Sequence, residues 1–199
     1  MKTRDIDIRD ILHRELDKEF AYDIDTLIID ELGVCQGEAR IDIAVVNGSL
    51  HGYEIKSDKD TLGRLPGQIE TYNRVFDTVT IVTGSEHLDK VFSLVPGWWG
   101  ISLATYVDSL DLFLQPVRNP QINDNVDAFS LTQFLWREEL LHLVQRYELD
   151  KKVNKLPRFK IWDLLAEIVP VSELKVYVRA CLKKRQNWRP GVQRTLNGD

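Results

Sequence analysis

A mixed α/β fold is predicted by three features: an amphipathic helical stretch at the start, a run of β-rich segments after it, and a return to helical spacing before another strand. Over residues 5–20, Ile6, Ile8, Ile11, Leu12, Leu16 and Phe20 fall roughly on one helical face, with charges elsewhere. Residues 25–32 and 39–46 are rich in β-branched and apolar side chains, and 53–56 alternates, so three strands are expected. Asn47-Gly48 between the last two is a hairpin signal. Residues 60–76 return to helical spacing through Leu62, Leu65, Ile69, Tyr72 and Phe76, with Pro66 marking a kink or the first turn. A strand at 77–83, a helix at 86–94 and strands at 98–106 and 110–117 follow. Residues 118–129, with Pro120 and several Asn and Asp, read as a linker. Beyond it, 130–149, 158–169 and 171–186 read as helices. The expected organisation is an α/β domain over 1–118 and a helical, basic C-terminal region over 130–199.

Composition excludes several classes. No apolar run is long enough to cross a bilayer, and the charged first ten residues lack a signal core, so a cytoplasmic protein without membrane contact is expected. The two cysteines and four histidines are scattered, which excludes a zinc site of the usual spacing. The net charge of −5 is unevenly distributed. Residues 151–199 carry twelve Lys or Arg against four acids, a local balance of +8, which leaves −13 for the first 150 residues. A basic end on an acidic body suits phosphate contact, and equally suits a solvated, charge-rich helical tail.

One constellation carries chemistry. Asp42 interrupts the apolar strand Ile41-Asp-Ile-Ala-Val-Val46, and Glu54-Ile55-Lys56 places a carboxylate and an ammonium on one face of the next strand. Charges in such strands need partners or a metal. Two convergent carboxylates suit Mg²⁺, with Mn²⁺ as substitute, and a lysine beside the ion suits a role on an attacking water. A structural Asp42–Lys56 ion pair is the alternative.

The pattern Asp42…Glu54-Ile55-Lys56, after one helix and one strand, resembles the PD-(D/E)XK nuclease superfamily. The runs R-I-D-I-A-V-V-N-G, Y-E-I-K-S-D-K-D-T-L and R-L-x-x-Q-x-x-x-Y resemble a small bacterial and phage family within it. The resemblance covers residues 5–85, with Ile41 in place of the usual Pro before Asp42. It implies a restriction-endonuclease-like core: helix, three-strand meander, helix, strand. It also implies Asp42, Glu54 and the Ile55 carbonyl as metal ligands, with Lys56 serving the nucleophilic water. Gln68 matches the Gln of a Q-x-x-x-Y element and would hydrogen-bond near the metal. Arg64 and Tyr72 share its helix face and would meet nucleic acid, although Tyr72 also completes the apolar stripe.

A further acid is sought in Glu31, at the end of the first strand, ahead of Glu15 on the first helix. Residues 135–160 faintly resemble a helix-loop-helix DNA-binding module, and equally suit helices that cover the sheet. The expected function is thus a Mg²⁺-dependent nuclease acting on nucleic acid, DNA above all, and dimeric if it cuts both strands. The alternatives are a non-cleaving nucleic-acid-binding module on the same fold, or a regulatory protein-interaction subunit. The site makes a geometric demand as well. A two-residue turn at Asn47-Gly48 would set Asp42 opposite Tyr53; a three-residue loop, Asn47-Gly48-Ser49, or a bulge at Gly52, sets it opposite Glu54.

Overall fold

The computed structural model describes residues 1–107 and 111–185. The expected strand start at Leu110, the last residue of the final helix, Gln186, and the basic Arg189 and Arg194 lie outside them. Helix α1 (Asp5–Glu19) leads into β1 (Leu27–Val34), β2 (Ala39–Val46) and β3 (Leu50–Lys56). Then come α2 (Leu65–Tyr72), β4 (Thr78–Gly84), α3 (Leu88–Leu94), β5 (Gly100–Tyr106) and β6 (Leu112–Arg118). Four helices close the described chain: α4 (Ala128–Thr132), α5 (Arg137–Arg146), α6 (Arg158–Ile168) and α7 (Val171–Lys184). None of the described helices is long and apolar enough to cross a membrane.

The six strands form one sheet in sequence order. β1, β2 and β3 make an antiparallel meander, β3, β4 and β5 run parallel, and β6 returns antiparallel. The parallel steps require crossovers, which α2 and α3 provide. β4 is buried along its whole length, and Thr-Val-Thr-Ile-Val-Thr accordingly reads as a near-continuous apolar and β-branched run.

The two faces are covered unequally. α1 packs Ile8, Leu12 and Leu16 against Ile43, Val45, Ile55, Val82 and Ala104. The other face meets α2, α3 and all four C-terminal helices, through Leu65, Tyr72, Val91, Leu131, Leu140, Leu165, Leu174 and Leu182. The C-terminal helices therefore share one core with the sheet. Residues 118–129 are not a free linker: Val126 is buried, and Asn123 donates from Nδ2 to the carbonyls of Asn73 and Phe76, at 2.7 and 3.0 Å.

Two local features set the register at the site. The β2–β3 loop has three residues, with Val46 paired to Leu50 and Ile43 to Tyr53. Asn47 Oδ1 accepts from Ser49 N at 3.0 Å, an Asx turn that fixes the loop. The β2–β3 ladder ends at Ile43–Tyr53, and beyond it the Asp42 carboxylate, not its backbone, takes the Ile55 N–H. On the other side of β2, Glu31 has φ of +55° and interrupts the ladder opposite Asp42. Alternation breaks there: Ile29 and Leu32 face the same core, as do Ile41 and Ala44.

Candidate functional site

The site grows from three neighbouring strands. Glu31 comes from β1, Asp42 from β2 and Glu54 from β3, with Lys56 two residues beyond Glu54. Glu54 and Lys56 are almost fully buried, at 1% and 5% exposed. Neither charge would be tolerated there alone.

Glu54 is held from the α2 side. Its Oε1 pairs with Lys56 Nζ and accepts from Gln68 Nε2 at 2.6 Å, and its Oε2 accepts from the Tyr72 hydroxyl at 2.8 Å. Gln68 and Tyr72 reach one carboxylate because positions i and i+4 share a helix face. Asp42 is held from α1, on the opposite face of the sheet. Its Oδ1 accepts from Arg9 Nη2 at 2.9 Å, and its Oδ2 from the Ile55 backbone N–H at 2.7 Å. The Arg9 guanidinium also meets Glu31 Oε1 at 2.9 Å and the Asp42 carbonyl at 3.1 Å. Glu31 is otherwise near Arg40 only, at 3.7 Å, and is largely open to solvent.

The electrostatics follow from crowding. Burial, and then the Glu54 carboxylate, raise the Asp42 pKa from 3.8 to about 7. Burial raises Glu54 too, against the opposing pull of Lys56, Tyr72 and Gln68. The Tyr72 hydroxyl is pushed well above its ordinary value by burial and by the acid it serves.

This donor set does not fit a divalent metal. Three of the four oxygens of Asp42 and Glu54 accept from protein N–H donors and the fourth shares the Tyr72 hydroxyl with the Arg40 carbonyl, so a cation would have to displace Arg9 and Lys56. Among the described residues no three acidic, His or Cys side chains gather as a ligand set. Gln68 Oε1 is a buried acceptor without a donor among the described residues. What the arrangement does is mechanical: one polar network crosses the sheet and pins α1 and α2 to it.

Several expected site residues take other roles. Ile55 contributes its N–H to Asp42. Tyr72 is fully buried, so it supports Glu54 and cannot meet nucleic acid; its hydroxyl also lies 2.6 Å from the Arg40 carbonyl. Arg64 is exposed at the start of α2. Glu15 is away from the site and pairs with Lys18 at 3.2 Å. Arg9 had no place in the expected site, although Asp5 and Arg9, at i and i+4 on a helix whose apolar face is buried, hinted at it.

Four side chains of the basic end are paired with acids within the molecule. Lys175 and Arg179 meet Asp77 at 2.9 and 3.4 Å, Lys183 meets Asp25 at 2.6 Å, and Arg185 meets Glu139 at 2.5 Å. These four residues hold the acidic body to its helices, whereas Lys151, Lys152, Lys155, Lys160 and Lys184 form no ion pair among the described residues.

Fold and site thus define a mixed α/β protein with a closed carboxylate–cation network across its sheet. Over residues 5–194 the sequence matches the family described as Bacteriophage P4 protein cII, and the chain belongs to that family. Protein cII of Enterobacteria phage P4 is 29% identical over 161 residues, which are 81% of this chain and 60% of that protein. The chain therefore spans less than two thirds of that relative. The solved structure of SPO1766, a protein of unknown function from Silicibacter pomeroyi, is similar over 69% of this chain and 86% of that one, with a TM-score of 0.41 and 18% identity.

The family match corrects the expectation of a PD-(D/E)XK endonuclease. E-x-K two apart on a strand is a short pattern with many origins. Here it forms a buried ion pair inside a chain of another family.

Proposed function

We propose that this chain is a regulatory protein that acts by binding a macromolecular partner without cleaving it. The scaffold in this proposal keeps the element order of a restriction-endonuclease-like core: helix, three-strand meander, helix, strand. The observation that carries the proposal is the saturation of Asp42 and Glu54 by Arg9, Ile55, Lys56, Gln68 and Tyr72. A hydrolytic site needs carboxylates free to take a metal and a lysine free to serve water. Here the same side chains are tied to one another, and membership of the P4 cII family supports the same reading.

The test is incubation of the purified protein with plasmid, single-stranded DNA and RNA, in Mg²⁺, in Mn²⁺ and in chelator. The expected result is the same intact nucleic acid in all three. Cleavage that needs the metal and disappears in Lys56→Ala would overturn the proposal.

A further inference from the structure

A cleft of about 270 Å³ opens on the opposite side of β1 from Arg9, between the end of that strand and the C-terminal helices. Its rim is the turn Cys35–Gly37, where Cys35, Gln36 and Gly37 all have positive φ, at 48°, 56° and 92°. Two non-glycine residues held in the left-handed region are costly, and such strain gathers where a surface serves a ligand. Gln36 Nε2 holds the rim by donating to the Gln133 carbonyl at 3.0 Å.

The wall is cationic and aromatic. Arg158, which opens α6, lies over the Trp162 ring, 5.0 Å from its centre, and donates from Nη2 to the Leu135 carbonyl at 2.7 Å. Its buried Nε has no acceptor. Arg185 lies 4.3 Å over the centre of the Trp136 ring, and that indole remains 45% exposed. Burial opposes the Arg158 charge, as do the nearby Arg185 and Arg137, while Glu139 favours it. The Glu139 carboxylate is itself engaged by Arg185 and by the Trp136 N–H. Arg185 is thus paired with Glu139, while Arg158 has Arg137 and Arg185 as like-charged neighbours and contacts no acid among the described residues.

We propose that this cleft binds the phosphate of a single-stranded nucleic acid, with Arg158 on the phosphate and the exposed part of Trp136 stacked on a base. Guanidinium groups match phosphate geometry, and an exposed indole beside them offers a platform that any base can use. A duplex keeps its bases stacked on one another and gains nothing from that platform. The proposal rests on the binding role argued above, and it names the partner and the surface that meets it.

The experiment is fluorescence anisotropy of a labelled single-stranded oligonucleotide of about 12 nucleotides, titrated with the full chain in chelator. Chelator removes any turnover, so this result stands apart from the cleavage test. The wild type is expected to bind, with Trp136→Ala and Arg158→Gln each weakening it about tenfold and Arg158→Gln also lowering the salt slope by about one. Gln133→Glu, which sets a carboxylate on the cleft wall without touching the core, should weaken binding similarly and keeps the test valid if another variant fails to fold. Competition by a mononucleotide as strong as by the oligonucleotide would support the phosphate site with a free nucleotide as its source. Failure of the wild type to bind, stronger competition by duplex, or unchanged affinity in folded Trp136→Ala and Gln133→Glu would each overturn the proposal.

Discussion

Glu54 shows what one residue decides in this protein. It is a carboxylate inside a sheet, and its hydrogen bonds to Gln68 and Tyr72 and its contact with Lys56 replace the water it lost on folding. Removing its charge strands the Lys56 ammonium. Glu54→Gln should therefore cost about 3 kcal/mol in urea unfolding, whereas Glu54→Gln with Lys56→Met should recover most of that loss. A single variant within about 0.5 kcal/mol of wild type, the range of an ordinary surface change, would mean that the pair is not structural. Asp42 gives a pH signature. Its pKa is raised in the fold, from 3.8 to about 7, by burial and by Glu54. Such a group favours the fold while protonated: its contribution is complete below pH 3.8 and is lost as pH rises through about 7. His51 works in the same window with the opposite sign. Burial holds its pKa at about 4, below its ordinary 6.5, so its contribution is present above 6.5 and is lost as pH falls toward 4. The net curve mixes the two, so the variant is the clean comparison. Asp42→Asn should gain stability relative to wild type between pH 4.5 and 7.5, measured by urea titration at each pH. A constant difference across that range would show that Asp42 is not titrating there.

At the scale of elements, the C-terminal helices are the informative case. α7 is tied to the sheet by charge as well as by packing. Asp77 accepts from Leu50 N at 2.8 Å at the start of β3 and meets Lys175 and Arg179 of α7, while Leu174, Val178 and Leu182 enter the core. A chain ending at Asp150 removes α6 and α7 and uncovers the sheet face that Ile161, Leu165, Leu174 and Leu182 help to bury. That chain should aggregate or unfold, with loss of the near-ultraviolet tryptophan signal. A soluble truncated chain that unfolds cooperatively would show that these helices are an independent appendage. The element boundaries themselves followed from local chemistry. Pro66 lies in the first turn of α2, where its missing N–H costs nothing, so the helix begins at Leu65, five residues later than the apolar stripe suggested. Asp60, expected inside that helix, instead accepts from Ser57 N at 2.8 Å in the preceding turn.

At the scale of the molecule, opposite charges that are remote in sequence become partners. The acidic first part and the basic last part meet at Asp77, Asp25 and Glu139, so part of the asymmetry that suggested a nucleic-acid tail is internal cohesion. The unequal covering of the two sheet faces has the same origin. α1 alone holds one face, and Arg9 fastens it to β2, while the C-terminal helices close the other.

The order of helices and strands, the amphipathic face of α1 and the convergence of Asp42, Glu54, Lys56 and Gln68 were all legible in the sequence. Periodicity and turn chemistry act over a few residues, and a three-residue loop at Asn47 suffices to set the β2–β3 register. Other features had no local signal. That Arg9 shares Glu31 and Asp42, that Asn123 ties the expected linker to the core, and that Arg158 and Arg185 meet beside Trp136 each depend on segments brought together only by folding. The chemical meaning of the central site was the last thing the tertiary structure decided. A carboxylate and a lysine two residues apart look the same in a sequence whether they await a metal or satisfy each other. The difference lies in which donors the rest of the chain places around them, and here Arg9, Gln68 and Tyr72 arrive from helices on opposite faces of the sheet.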